Sequence, residues 1–190
     1  MFKNNAPTTP QQWIDQGHDI TPCREKKAYT KDWPKKNLTA KDFKPNDNIG
    51  LKLKDIADFD IDNPIAQKFI KKYLKSCGAI YGRKHNPESH YLFKESSKFK
   101  EFNIPKTLDH LCKDFSHGAH LGEIRSGENR YSIAPNSIIE GDKVEWKKYA
   151  NINSYNGDLK LDIGKIMLST ALAILYPAKG TRDICTTAIA

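Results

Sequence analysis

Residues 55–64 read DIADFDIDNP, and this stretch decides how the chain folds. Ile56, Phe59 and Ile61 mark a strand, yet aspartate, a poor strand former, stands at Asp55, Asp58, Asp60 and Asp62. Side chains alternate along a strand. Asp58, Asp60 and Asp62 therefore share one face, and Ala57, Phe59 and Ile61 the other. Three carboxylates on one face repel one another unless water or a cation intervenes. Two readings stand: solvated strand carboxylates beside a turn, or oxygen ligands for a hard cation. Alternate side chains on a strand are roughly 7 Å apart, a spacing at which carboxylates can converge on divalent ions.

Outward from this stretch the pattern alternates short strands with helices. NIGLKL (48–53) and ADFDID (57–62) read as neighbouring strands. The spacing predicts a helix over 64–76, capped by Asn63, with Pro64 in its first turn and Gly78 closing it. Its apolar stripe is Ile65, Phe69, Ile70, Tyr73 and Leu74. AIYGR (79–83) and SHYLFK (89–94) follow as strands, giving a strand–helix–strand unit with added hairpin strands. Before the unit lie a short helix over 10–16, a strand over 18–22 and a polar loop with one helical turn capped by Thr39. After it come a short helix over 107–115 and strands at 121–126, 130–137 and 143–149, turned at Gly127 and Gly141. NSYNGD (153–158) reads as a boundary before an amphipathic helix over 159–176, and a second helical pattern runs from Gly180 to the last residue. The expected fold is α+β: a mixed β-sheet flanked by helices, with a C-terminal helical extension. The expected domains are 1–152, the main sheet-bearing unit, and 153–190, a linker and the start of a helical domain in a longer protein.

Hydrophobic residues make up 38% of the 190 and charged residues 28%, a soluble globular composition. No apolar run approaches the ~20 residues of a membrane helix, and the first residues lack a signal-peptide core, so a cytoplasmic protein without membrane contact is expected. The four cysteines lie far apart and read as reduced, mostly buried thiols. The net charge of +8 favours an anionic partner. Residues 24–54 carry ten Lys/Arg against four Asp/Glu, a local excess of +6. Lys26, Lys27, Lys31, Lys35 and Lys36 in this loop are candidate contacts to a nucleic-acid backbone. Tyr29 and Trp33 could stack on bases or pack within the loop.

A carboxylate from a neighbouring strand would complete a site for two metal ions, the arrangement that stabilises the attacking and leaving oxygens of phosphoryl transfer. Glu123 in LGEIRS is that candidate. In GRKHNPESHYLF (82–93), Arg83, Lys84 and His90 gather basic donors suited to a triphosphate. Neither a G-x-S-x-G elbow nor a Walker sequence is present. His110, Cys112, His117 and His120 lack zinc-finger spacing, so zinc is not expected.

The order of these segments resembles the N-terminal primase–polymerase domain of bifunctional DNA primase/polymerases, of the archaeo-eukaryotic primase superfamily. The landmarks are REKKAYTKDW (24–33), NIGLKL, FDIDNP, GRKHNPESHYLF, GEIRSGENRYSIAPNS and a closing Gly141…Trp146, spanning residues 10–150. The resemblance implies that Asp60 and Asp62 are the metal-binding pair and Glu123 the third acid, together holding two Mg²⁺ or Mn²⁺ ions. It implies that His90 contacts the incoming triphosphate, assisted by Arg83, with Ser89 and Ser137 at the nucleotide. Ser89 adjoins His90, whereas the family places its serine slightly earlier, and Asp58 is a carboxylate the pattern does not require. Asp58 is then either an outer partner of the site or a solvated neighbour. The implied activity is template-directed DNA primase/polymerase chemistry on dNTP or NTP with a single-stranded or primed DNA template. A helical and helicase region would follow in the full-length protein, in plasmid, phage or mobile-element replication. The alternatives are a non-catalytic DNA-binding or replication-initiation module and a two-metal nuclease.

Overall fold

The computed structural model describes residues 5–61, 63–74, 77–94, 100–103 and 120–175. Asp62, the 107–115 helix, His110, Cys112, His117 and the second C-terminal helix lie outside the described residues.

The chain runs α1 (Pro10–Asp15), β1 (Ile20–Arg24), β2 (Lys27–Ala28), β3 (Asn48–Lys52), β4 (Ala57–Asp60), α2 (Pro64–Tyr73), β5 (Ala79–Arg83) and β6 (Asn86–Phe93). It continues through β7 (Lys100–Asn103), β8 (His120–Arg125), β9 (Tyr131–Ile133), β10 (Ile138–Ile139), β11 (Asp142–Tyr149) and α3 (Leu159–Leu175). The fold is α+β with two sheets. One has four strands, in the order β2-β1-β3-β9, and the other seven, in the order β10-β11-β5-β6-β4-β8-β7.

The expected mixed sheet is corrected here: among the described residues every strand pairing is antiparallel. The reason lies at Lys84–His85, a two-residue turn that folds β6 directly back on β5. β6 then pairs with β4 as well, so the two strands joined through α2 are parallel in direction but separated by β6. Gly82 makes this hairpin possible, since a Cβ there would sit 2.1 Å from the Asn86 carbonyl oxygen.

Local signals explain the helices. The Asn63 side chain accepts from the Ile65 amide at 2.8 Å, Pro64 opens α2, and Lys71 and Lys72 occupy its last turn, where cations oppose the helix dipole. Thr39 caps a single 3-10 turn at Ala40–Asp42 through a reciprocal box with Asp42. On α3, Leu159, Ile163, Ile166, Met167 and Thr170 are buried at helical spacing, while Leu161, Leu168 and Leu172 face outward.

Two cores follow from the alternation along the strands. Ala57, Phe59 and Ile61 join Tyr91 and Phe93 beneath α2 and α3. Tyr81, Leu92 and Val144 meet Leu51, Leu53 and Trp13 on the opposite face of the large sheet, toward the small one. Helix α3 joins this first core by packing on α2 and β8. Burial of Ile163 and Ile166 is worth about 1.5–3 kcal/mol each. Cys23 and Cys77 are buried free thiols whose burial raises their pKa to about 12 and about 11. No helix among the described residues is long and apolar enough to cross a membrane.

Candidate nucleotide and metal site

One row of directly paired residues crosses the seven-stranded sheet: Glu101, Glu123, Asp60, His90, Tyr81 and Trp146, on β7, β8, β4, β6, β5 and β11. Residues paired across antiparallel strands share a face, so these side chains stand together on the face away from α2 and α3. Two residues along, Arg125, Asp58 and Leu92 form the next row on that face. Gly122 lets β8 approach β4 here, since a Cβ would lie 2.7 Å from the Asp60 carbonyl oxygen.

Three acids in adjacent strands repel one another. Arg125 answers that repulsion: its guanidinium lies 2.6 Å from Asp60 and also pairs with Glu123. Burial would by itself lower the Arg125 pKa. Asp60, Asp58 and Glu123 overcome that and raise it, so the residue is a permanent cation.

His90 Nδ1 is 3.0 Å from Asp58 Oδ2 and 3.8 Å from Asp60 Oδ1. Burial favours the neutral ring, but Asp60, Asp58 and the hydrogen bond to Asp58 outweigh it against opposition from Arg125, and the His90 pKa rises to about 9. Asp58 is 0% exposed and also accepts from Ser132 Oγ on β9. Burial pushes its pKa up, yet His90, Arg125 and Ser132 together hold it below the ordinary carboxylate value. The solvated reading of Asp58 is therefore excluded; it is an inner partner of His90.

Beside this row opens a cleft of about 550 Å³ between the two sheets. Asp60, His90, Arg125, Ser89 and Arg83 line it from the large sheet, with His85 and Asn86 at the β5–β6 hairpin. Tyr131 and Ile133 line it from the small sheet, joined by Lys26. Pro64 and Gln67 bring the first turns of α2 to its wall. Gln67 bonds Asn86, whose amide donates to the Ile61 carbonyl at 3.2 Å, tying helix, hairpin and acidic strand together. Arg83 pairs with Glu140 at 3.5 Å, and His85 with Asp142 at 2.9 Å.

The structure thus brings Asp60, Glu123, His90, Ser89 and Arg83 to one place from three separate segments. Ser137 stands elsewhere: it is buried, and its Oγ accepts from the Ile49 amide at 3.0 Å. Of the five loop lysines only Lys26 lines the cleft; Lys27, Lys31, Lys35 and Lys36 are exposed outside it. Trp33 packs edge-on against Tyr131, with ring centres 4.8 Å apart, whereas Tyr29 is exposed beneath Arg24. His120 Nδ1 lies 3.1 Å from the Asn103 side chain.

Arg125, Ser132, Gln67, Asn86 and Glu101 are the residues that sequence reasoning missed. Arg125 was within reach of it, being two residues from Glu123 on the same strand and so on the same face. The others depend on strand pairing or on the packing of α2 and the small sheet against the large one, which no local pattern encodes.

Among the described residues no three His, Cys, Asp or Glu side chains are arranged to hold an ion. Asp60 and Glu123 nevertheless converge on one cationic group, so their oxygens can be shared by a single cation, and carboxylate oxygens suit Mg²⁺ and Mn²⁺. No family model, no curated protein and no solved structure matches this chain.

Proposed function

We propose that this chain is a primase–polymerase catalytic domain that adds nucleotides to a DNA-templated primer with the help of divalent metal ions. The observation that carries this reading is the juxtaposition of Asp60, Glu123 and His90 in one cross-strand row at the rim of a cleft with basic walls. Asp60 and Glu123, with Asp62 beside them in sequence, would hold Mg²⁺ or Mn²⁺. Bound there, the ions would supply a lowered hydroxyl pKa and charge neutralisation at the α-phosphate. His90, Arg83 and Lys26 would bind the phosphates of a dNTP or NTP by charge-assisted hydrogen bonds, and Ser89 would add a hydroxyl. The exposed lysines of the 24–36 loop would follow the backbone of the DNA template.

The experiment is magnesium-dependent incorporation of labelled dNTP on a primed template. Wild type extends the primer, and the Asp60→Ala/Asp62→Ala protein folds but does not. Extension by the double variant would falsify the assignment, and shortening of the primer would point to a nuclease. A second reading, a DNA-binding module without catalysis, is favoured by one observation: the Arg125 guanidinium already pairs with both Asp60 and Glu123. It expects DNA binding with no incorporation.

A further inference from the structure

Asp58 is the carboxylate that the acidic site does not require, and it lies wholly buried in the middle of the large sheet. We propose that Asp58 is a positioning residue which, held by Ser132, fixes the plane of the His90 ring so that Nε2 faces the cleft where a polyphosphate would bind. The proposal rests on the nucleotidyl-transfer reading of the cleft.

Three contacts define the ring. Nδ1 stands 3.3 Å and 3.0 Å from the two oxygens of Asp58, which commits that nitrogen as a donor toward the interior. The ring face stacks on Tyr81, with centres 4.5 Å apart and planes 6° from parallel. The side chain lines the cleft, and Nε2 is the nitrogen left to meet what enters it. The carboxylate is itself anchored from across the inter-sheet space, where the Ser132 hydroxyl of β9 donates to Asp58 Oδ2. Both the plane of the imidazole and the identity of its outward nitrogen are thereby set, as in the carboxylate–histidine pairs that orient ring nitrogens elsewhere.

Cost supports a role beyond packing. A buried carboxylate loses its hydration, and an apolar β-branched residue would suit the strand better at this position. In the ladder Asp58 sits between Arg125 on one side and the buried, apolar Leu92 and Ala79 on the other.

The test measures binding of inorganic tripolyphosphate by calorimetry without divalent metal, on the full chain, with circular dichroism checking the fold. His90→Gln is expected to weaken binding about tenfold, the loss of one hydrogen bond to a charged group. Asp58→Val should weaken it by a similar factor. Asp58→Asn keeps an oxygen to accept from Nδ1–H and should recover most of the affinity. Asp58→Val added to His90→Gln should cause no further loss, because two residues acting through one group are not additive. Factors that multiply, or an Asp58→Asn protein as weak as Asp58→Val, overturn the orienting role. Should Asp58→Val not fold, Ser132→Ala replaces it, expected to weaken binding in wild type but not in His90→Gln; no effect in wild type overturns the proposal. If His90→Gln itself binds as wild type does, the cleft reading fails instead, which separates the two failures.

Discussion

His90 should make the stability of this protein fall as pH rises, and the size of the effect can be worked from its surroundings. The ordinary histidine pKa of 6.5 is raised to about 9 in the fold, where burial is outweighed by Asp60 and Asp58. A raised folded-state pKa means the folded state holds the proton more tightly than the unfolded chain does. Its stabilisation is complete below 6.5 and is lost as pH climbs through about 9. At about 1.4 kcal/mol per pH unit, the movement is worth about 3 kcal/mol. His90→Gln removes the titrating group and leaves Asp58, Asp60 and Arg125 in place. The urea-unfolding free energies of wild type and variant, compared at about pH 6 and about pH 10, should therefore converge by about 3 kcal/mol at the higher pH. In parallel, the His90 ring protons should titrate near 9 by NMR. A gap that stays constant with pH, or a ring titrating at or below 6.5, refutes the account of Asp58 and Asp60 as its partners. At the acid end the sign reverses. Asp58, held below its usual 3.8, contributes stability that is present above that value and lost as pH falls below it.

Gly82→Ala forces a Cβ to within 2.1 Å of the Asn86 carbonyl oxygen, a backbone atom, so the hairpin must move. A destabilisation of at least about 1–3 kcal/mol is expected, with weakened tripolyphosphate binding at the cleft it lines; thermal melts and calorimetry check both. Ile163→Ala should cost about 2–5 kcal/mol in urea unfolding, because α3 completes the core under the sheet, and a cost near zero would contradict that packing. Arg125→Gln should strengthen Mn²⁺ binding measured by electron paramagnetic resonance, since the ion no longer competes with a guanidinium for Asp60 and Glu123; weaker binding would show that Arg125 assists rather than competes. Replacing Lys27, Lys31, Lys35 and Lys36 with alanine should flatten the salt dependence of single-stranded DNA binding by about 0.7 in log–log slope for each phosphate no longer neutralised, read by fluorescence anisotropy.

Much of the strand framework was legible before any tertiary pairing was known. AIYGR matches β5 residue for residue, and NIGLKL and KVEWKKY match β3 and β11 to within a residue, because short runs of alternating apolar letters bounded by turn residues show directly in the sequence. The caps at Asn63 and Thr39 were equally visible, since a cap is a contact across two or three residues. Helix α2 stops at Tyr73 rather than continuing to 76, an end that apolar spacing alone does not mark. The antiparallel sheet was not legible, because a strand–helix–strand order says nothing of the hairpin strand that inserts between its two ends. Within the site, Asp60, Glu123 and His90 could be nominated from residue type and order, but not Ser132 or Gln67, which reach it from the small sheet and from α2.

By itself the sequence determined the facing of the side chains along Ala57–Asp60. Alternation is a property of the covalent backbone, so Phe59 had to point one way and Asp58 and Asp60 the other. Only the tertiary structure decided what the aspartates meet. Strand register is set by hydrogen bonds between segments far apart in the chain, and that register places Glu123 and His90 on either side of Asp60. The same pairing buries Asp58 against His90 and Ser132 and brings Arg125 to Asp60 and Glu123. Charges that look excessive along one strand are balanced by the two strands beside it and the sheet above it.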